Sequence, residues 1–179
     1  MRNLAINLIG PGGAGKSTVA LGLAERLRMR AVDLDRLFAD CVGDISEYIN
    51  RFGYDVYARQ NVETYRLMLQ KGTDGTVVAL SSGFMMYSQD IHPDYLRLRR
   101  HIEQSPTTLV LIPSLDQDLC VAETVRRQLT RPFARSRAAE EAVIRARFPR
   151  YVGLPPRKLE TMKSLPLIID DIHAYDSRR

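Results

Sequence analysis

Eight consecutive residues, Gly10-Pro11-Gly12-Gly13-Ala14-Gly15-Lys16-Ser17, satisfy the pattern G-x-x-x-x-G-K-[ST] at every fixed position, and Thr18 follows them. An apolar run, Leu4-Ala5-Ile6-Asn7-Leu8-Ile9, stands before the glycines and an amphipathic stretch stands after them, which is the strand–loop–helix context the pattern needs. Glycines let successive backbone N–H groups turn inward around a phosphate chain, where a Cβ would block the approach. A helix starting near Lys16 aims its positive end and its unpaired N–H groups at the same anion. Lys16 then supplies a mobile charge for the β- and γ-phosphates, and the Ser17 hydroxyl supplies a ligand for Mg2+. Gly12, Gly13, Ala14, Gly15, Lys16, Ser17 and Thr18 are therefore read as the binding residues for the phosphates of a nucleoside triphosphate.

A second group that could do chemistry is the pair Asp33 and Asp35, just after the short strand-like stretch Ala31-Val32. Alternation along a strand would put both carboxylates on one face. They also fall at the carboxyl end of a strand, where open parallel sheets bind ligands. The competing reading is an acidic turn that caps the next helix. A third group is arginine-rich: Arg126, Arg127, Arg131, Arg135, Arg137, Arg145, Arg147 and Arg150. Planar, permanently charged donors suit a triphosphate and an anionic acceptor. Small anionic ligands thus account for the net charge of +5 and the pI near 9.4 at least as well as a polynucleotide does. Cys41 and Cys120 lack metal or redox spacing, which suits a reducing cytoplasm, and His92, His101 and His173 lack metal spacing as well.

The elements that must position these groups follow from hydrophobic periodicity. Val19, Ala20, Leu23, Ala24 and Leu27 recur at helical spacing over 16–29. Short helices are expected at 34–42 and 45–52, and Gly53 marks a turn. A longer helix covers 55–71, with Arg59 and Glu63 as an i,i+4 pair of opposite charge. Thr76–Leu80 and Thr107–Ile112 read as strands buried in the middle of a parallel sheet, and Ser81-Ser82-Gly83 ends the first of them. Helices are expected near 94–103, 115–127 and 137–148, with the turn at Arg131-Pro132-Phe133 placed between the last two like a lid. Leu165-Pro166-Leu167-Ile168-Ile169 reads as the last strand. Five strands alternating with helices give an α/β, doubly wound, mostly parallel sheet with helices on both faces. The 179 residues fit one domain, 1–179, large enough to bury about 70% of its unfolded surface. Helices over about 34–71 would bind the acceptor, and a lid would span about 127–137. No basic-then-apolar leader and no run of about 18 apolar residues is present, so a cytoplasmic, monomeric protein without a membrane anchor is expected.

Taken together and in order, these pieces resemble the shikimate kinases, within the nucleoside-monophosphate-kinase-like P-loop proteins. The likeness covers Ile6–Thr18, Val32-Asp33-Leu34-Asp35, Ile45 through Gly53, Ser82-Gly83, Arg131-Pro132-Phe133 and Arg147-x-x-x-Tyr151. It implies a P-loop kinase fold and a cytoplasmic phosphotransferase with an alcohol acceptor, moving the γ-phosphoryl of ATP to shikimate in aromatic amino acid biosynthesis. It also implies residue roles: Asp35 as base and acceptor ligand, Asp33 holding Mg2+ through water, Arg147 pairing with the acceptor carboxylate, and Arg131 closing with the lid. Arg59 and Gly83 complete the implied acceptor site. The family pattern carries Glu and Arg where this chain has Tyr54 and Ala58, with Arg59 displaced by one, and a triple glycine where this chain has Ser81-Ser82-Gly83. The terminal helix usual in the family is expected to be short or absent. The alternatives are a kinase of another small metabolite or nucleoside, and a non-catalytic nucleotide-binding relative.

Overall fold

The central strands form from apolar runs, and the two edge strands carry charged residues. The computed structural model describes residues 5–130 and 136–176, with backbone alone at 174–176. In chain order it contains β1 (Ile6–Ile9), α1 (Lys16–Leu27), β2 (Arg30–Asp33), α2 (Leu34–Cys41), α3 (Ile45–Phe52) and α4 (Tyr54–Gln70). After these come β3 (Thr76–Ala79), a single 3-10 turn at Phe84–Met86, α5 (Tyr95–Gln104), β4 (Thr108–Ile112), α6 (Gln117–Leu129), α7 (Arg137–Val152), β5 (Arg157–Glu160) and α8 (Leu165–Asp176). The sheet order is β2-β3-β1-β4-β5, and every pairing is parallel. Leu8 of β1 lies between Ala79 and Leu109, so the strand that feeds the glycine loop is central. The chain leaves β1 toward one edge and returns to its other side at β4, which makes the carboxyl end of β1 a switch point for ligands.

Both faces of the sheet are covered, and alternation along the strands divides the core. Val77, Leu109 and Leu111 face the layer containing Leu23, Ile168 and Ile172 from α1 and α8. Val78 and Val110 face the opposite layer, with Phe38, Val62, Tyr65, Tyr95 and Ile102 from α2, α4 and α5. Burying a side chain such as Phe38 stabilises the fold by about 1.5–3 kcal/mol. Among the described residues no helix is long and apolar enough to cross a membrane.

Two expectations from sequence are corrected here. The last strand is Arg157–Glu160, and the segment from Leu165 begins a helix of 12 residues. Leu165, Ile168, Ile169 and Ile172 follow i, i+3, i+4, i+7 spacing, so one stripe faces α1, and Pro166 sits in the first turn, where a missing N–H costs nothing. A five-residue apolar window was too short to separate that stripe from a buried strand. A terminal helix is therefore present, and Gly22 lets it approach: a Cβ there would stand 2.8 Å from Ile169 Cδ1. The other correction is on α4. Glu63 binds Arg66 at 2.6–2.7 Å and lies 3.4 Å from His92, whereas Arg59 donates from Nε to the Ile91 carbonyl at 3.0 Å. The i,i+3 partner of Glu63 and the Ile91 carbonyl, in the segment before α5, outcompete the i,i+4 pair.

Candidate functional site

The loop from Gly10 to Gly15 leaves β1 and delivers the chain into α1 with a glycine, and so no capping side chain, at the N-cap. Gly15 stands at the N-cap with φ +87°, a region that favours glycine, and it has no side chain to accept from the first turn. No acidic residue occupies that first turn, so the N–H groups and the positive helix end face the crevice. Lys16 is buried, and its Nζ donates to the Gly10 and Pro11 carbonyls at 2.8 and 2.9 Å, which holds the ammonium across the loop. Gly12, Gly13, Gly15, Lys16, Ser17 and Thr18 line one cleft together with Asp33, Asp35, Leu80, Ser82 and Gln128. Ala14 is fully buried beneath it, packed into the core.

The two carboxylates reach this cleft by a route other than strand alternation. Asp33 ends β2 and caps α2: its Oδ1 accepts from the backbone N–H groups of Asp35 and Arg36 at 2.9 and 3.2 Å. Asp35 stands in the first turn of α2, two residues beyond the strand. The capping that competed with a functional reading is thus real, and it is carried by Oδ1 of Asp33. Ser17 and Asp33 share the cleft with the phosphate loop. That donor set fits Mg2+, which keeps several waters and binds through one or two protein oxygens plus phosphate. A protein cage is not needed, and no cluster of three or more His, Cys, Asp and Glu residues occurs among the described residues.

Beyond Leu80 and Ser82, which line the cleft, the 80–87 segment meets α4 and α7. Arg147 donates to the Ser82 carbonyl at 3.4 Å and to the Tyr54 hydroxyl at 3.3 Å. Tyr151, one turn further along α7, donates to the same Ser82 carbonyl at 2.7 Å, and both residues thereby tie α7 to the end of β3. Behind them lies a polar knot, in which Asn61, fully buried, donates to Ser81 Oγ at 2.9 Å and to the Tyr87 hydroxyl at 2.8 Å. Burial pushes the Tyr57 phenol well above its usual range, and the negative charge of Asp35 pushes it further. The phenol therefore stays protonated beside that carboxylate. Gly83 lies against Tyr54, Tyr87 and Arg147.

Of the acceptor residues expected from sequence, Asp35 lines the cleft and Gly83 and Arg147 stand next to Ser82 at its margin, whereas Arg59 does not join them: it is exposed and engaged with Ile91. The one-residue displacement is a rotation of about 100° on a helix, and buried Ala58 takes the inward direction. Arg131 and the centre of the expected lid lie outside the described residues; positions 127–129 belong to α6 and 137 opens α7. Gln128 also lines the cleft, and no sequence motif marked it. Thr124 and Gln128 lie on one face of α6 against Gly13, and that i,i+4 spacing was the available signal.

A model of the shikimate kinase family matches residues 12–160, from the phosphate loop to the end of β5. The chain belongs to the shikimate kinase family. A shikimate kinase of Enterococcus faecalis is 25% identical over 140 residues, 78% of this chain and 76% of that one. A pentafunctional AROM polypeptide of Schizosaccharomyces pombe is 34% identical over 83 residues, which take in 46% of this chain and only 5% of that polypeptide. In architecture, the chain superimposes on a shikimate kinase from Acinetobacter baumannii in complex with shikimate, with a TM-score of 0.73 at 23% identity, covering 98% of this chain and 94% of that one. The fold of the family, a parallel sheet with a P-loop at its centre, is therefore the fold of this protein.

Proposed function

We propose that this protein is a phosphotransferase that moves the γ-phosphoryl of ATP to a hydroxyl of shikimate. The observation that carries the reading is one cleft lined by the phosphate loop, Asp33, Asp35 and Ser82, with the Arg147 guanidinium held against the carbonyl of that same Ser82. Phosphoryl transfer asks little covalent chemistry of a protein; positioning and charge stabilisation do most of the work. The N–H groups of 12–18 cradle the β- and γ-phosphates. Lys16 exchanges its two carbonyl partners for phosphate oxygens as charge moves to the leaving oxygen. Ser17 and Asp33 would hold Mg2+, directly or through water, and the ion when bound offsets phosphate charge. Asp35 accepts a hydrogen bond from the acceptor hydroxyl and takes its proton. Arg147 fixes the acceptor by its carboxylate, and Arg131 adds positive charge at the transferred group. ATP and a small anionic alcohol are the partners in this scheme, with the chain acting as a cytoplasmic monomer.

Ala58 and the outward Arg59 leave the acceptor end with fewer cations than the family pattern supplies, and this favours a second reading, a kinase of another hydroxylated metabolite. The test is a panel of hydroxylated acids and nucleosides assayed with ATP and Mg2+ for ADP release. Turnover of shikimate well above the other compounds is expected. Turnover of nucleosides alone would overturn the proposal.

A further inference from the structure

Both bonds from Arg147 at the acceptor end are long. At 3.3 and 3.4 Å they exceed the usual 2.9–3.0 Å for N–H···O and are easily exchanged. Their acceptors, the Tyr54 hydroxyl and the Ser82 carbonyl, are neutral. Because the Tyr54 oxygen accepts from Arg147, the phenol proton is directed elsewhere, and a hydroxyl has one proton to give. The tyrosine's place is set by its position: it is the first residue of α4, directly after Gly53. Its hydroxyl occupies a notch at Gly83, where a Cβ would stand only 2.3 Å from the oxygen. Gly83 has φ −96°, which any residue adopts, so this glycine contributes space, and Tyr54 fills the space. Tyr57 and Tyr87 back the ring, with centroids 5.8 and 6.1 Å away, and both are buried, while Tyr54 itself is 42% exposed. The wall behind Tyr54 is fixed and its other side is open.

We infer that Tyr54 is a specificity-determining residue of the acceptor site, its phenol O–H and the Arg147 guanidinium together binding one carboxylate of the acceptor. The inference rests on the kinase reading above and adds one neutral donor to its carboxylate clamp. A carboxylate offers lone pairs enough for the charged N–H groups and for the phenol proton. A phosphate monoester, with a charge of about −1.5 to −2, would meet one guanidinium and one neutral donor, with Asp35 further along the crevice repelling it.

The test compares wild type with Tyr54→Phe, which keeps the ring against Tyr57 and Tyr87 and removes the hydroxyl. Steady-state kinetics should show KM for the acid raised about tenfold or more, with KM for ATP within about twofold. The melting temperature without ligand should be unchanged, the upward shift given by ADP retained, and the shift given by the acid largely lost. A KM for the acid equal to that of wild type overturns the inference and leaves the kinase reading standing. A variant that loses affinity for both substrates, or melts lower without ligand, shows a structural role and also overturns it. Wild type inactive toward every carboxylated alcohol would overturn the kinase reading and this inference together.

Discussion

Replacing Arg147 by alanine separates acceptor binding from nucleotide binding. The side chain's two bonds within the fold are long and run to neutral acceptors, and the Tyr54 hydroxyl among them is exposed, so the fold should survive the change. Toward a carboxylate the same guanidinium makes charge-assisted, potentially bidentate bonds, worth about 1.5–3 kcal/mol. Loss of about 1.5–3 kcal/mol corresponds to roughly 10- to 150-fold in affinity. Arg147 does not line the phosphate cleft, so the nucleotide should not sense its loss. Steady-state kinetics on Arg147→Ala should therefore give at least a tenfold higher KM for the acid and a nearly unchanged KM for ATP, with a melting curve close to that of wild type. Equal damage to both KM values would refute the reasoning and assign Arg147 to the phosphate site.

Asp35→Asn should bind ATP as wild type does, since the amide keeps the shape, yet lose kcat by more than about tenfold because the basic oxygen is gone; unchanged kcat would pass the role of base to Asp33. Gly22→Val should push carbons into Ile169 and Leu165 of α8 and cost about 1–3 kcal/mol, lowering Tm by roughly 2–12 °C, whereas Leu21→Val on the exposed side of α1 should change little. An unmoved Tm for Gly22→Val would contradict the packing of α8 on α1. Hydrogen bonds from Arg126, and then those from Arg127, hold the Glu123 carboxyl down to about 2 against an ordinary 4.5. A depressed carboxylate contributes stability above its unfolded value and loses it as pH falls, so Glu123 should account for part of the acid destabilisation between about pH 4.5 and 2. Glu123→Gln should flatten that part of the stability profile, and an identical profile would remove Glu123 from the account.

What sequence made legible was what depends on short-range chemistry. The phosphate loop is a local pattern whose glycines, lysine and hydroxyl act within eight residues, and its setting between a strand and a helix follows from the runs on either side. The central strands were legible as well, because Val77, Val78, Leu109 and Leu111 are buried on both faces of the sheet and leave no polar alternation to confuse. The edge was not: β5 carries Arg157, Lys158 and Glu160 around one buried Leu159, and that composition resembles a solvated turn. Leu165–Ile169 misled in the opposite sense, since its helical stripe becomes visible only when Ile172 is included. Side-chain direction at the acceptor end depended on contacts distant in sequence. Arg59 turns to a carbonyl 32 residues away, and Tyr54 meets Arg147 across 93 residues, neither of which periodicity along one helix can supply.

The central claim, transfer of a phosphoryl group from ATP to shikimate, is met most directly by mass analysis of a reaction containing the protein, ATP, Mg2+ and shikimate. The expected result is shikimate carrying one added phosphoryl group, formed in step with ADP and absent when shikimate or the protein is omitted. ADP formed at the same rate with and without shikimate, with the acid recovered unmodified, would contradict it.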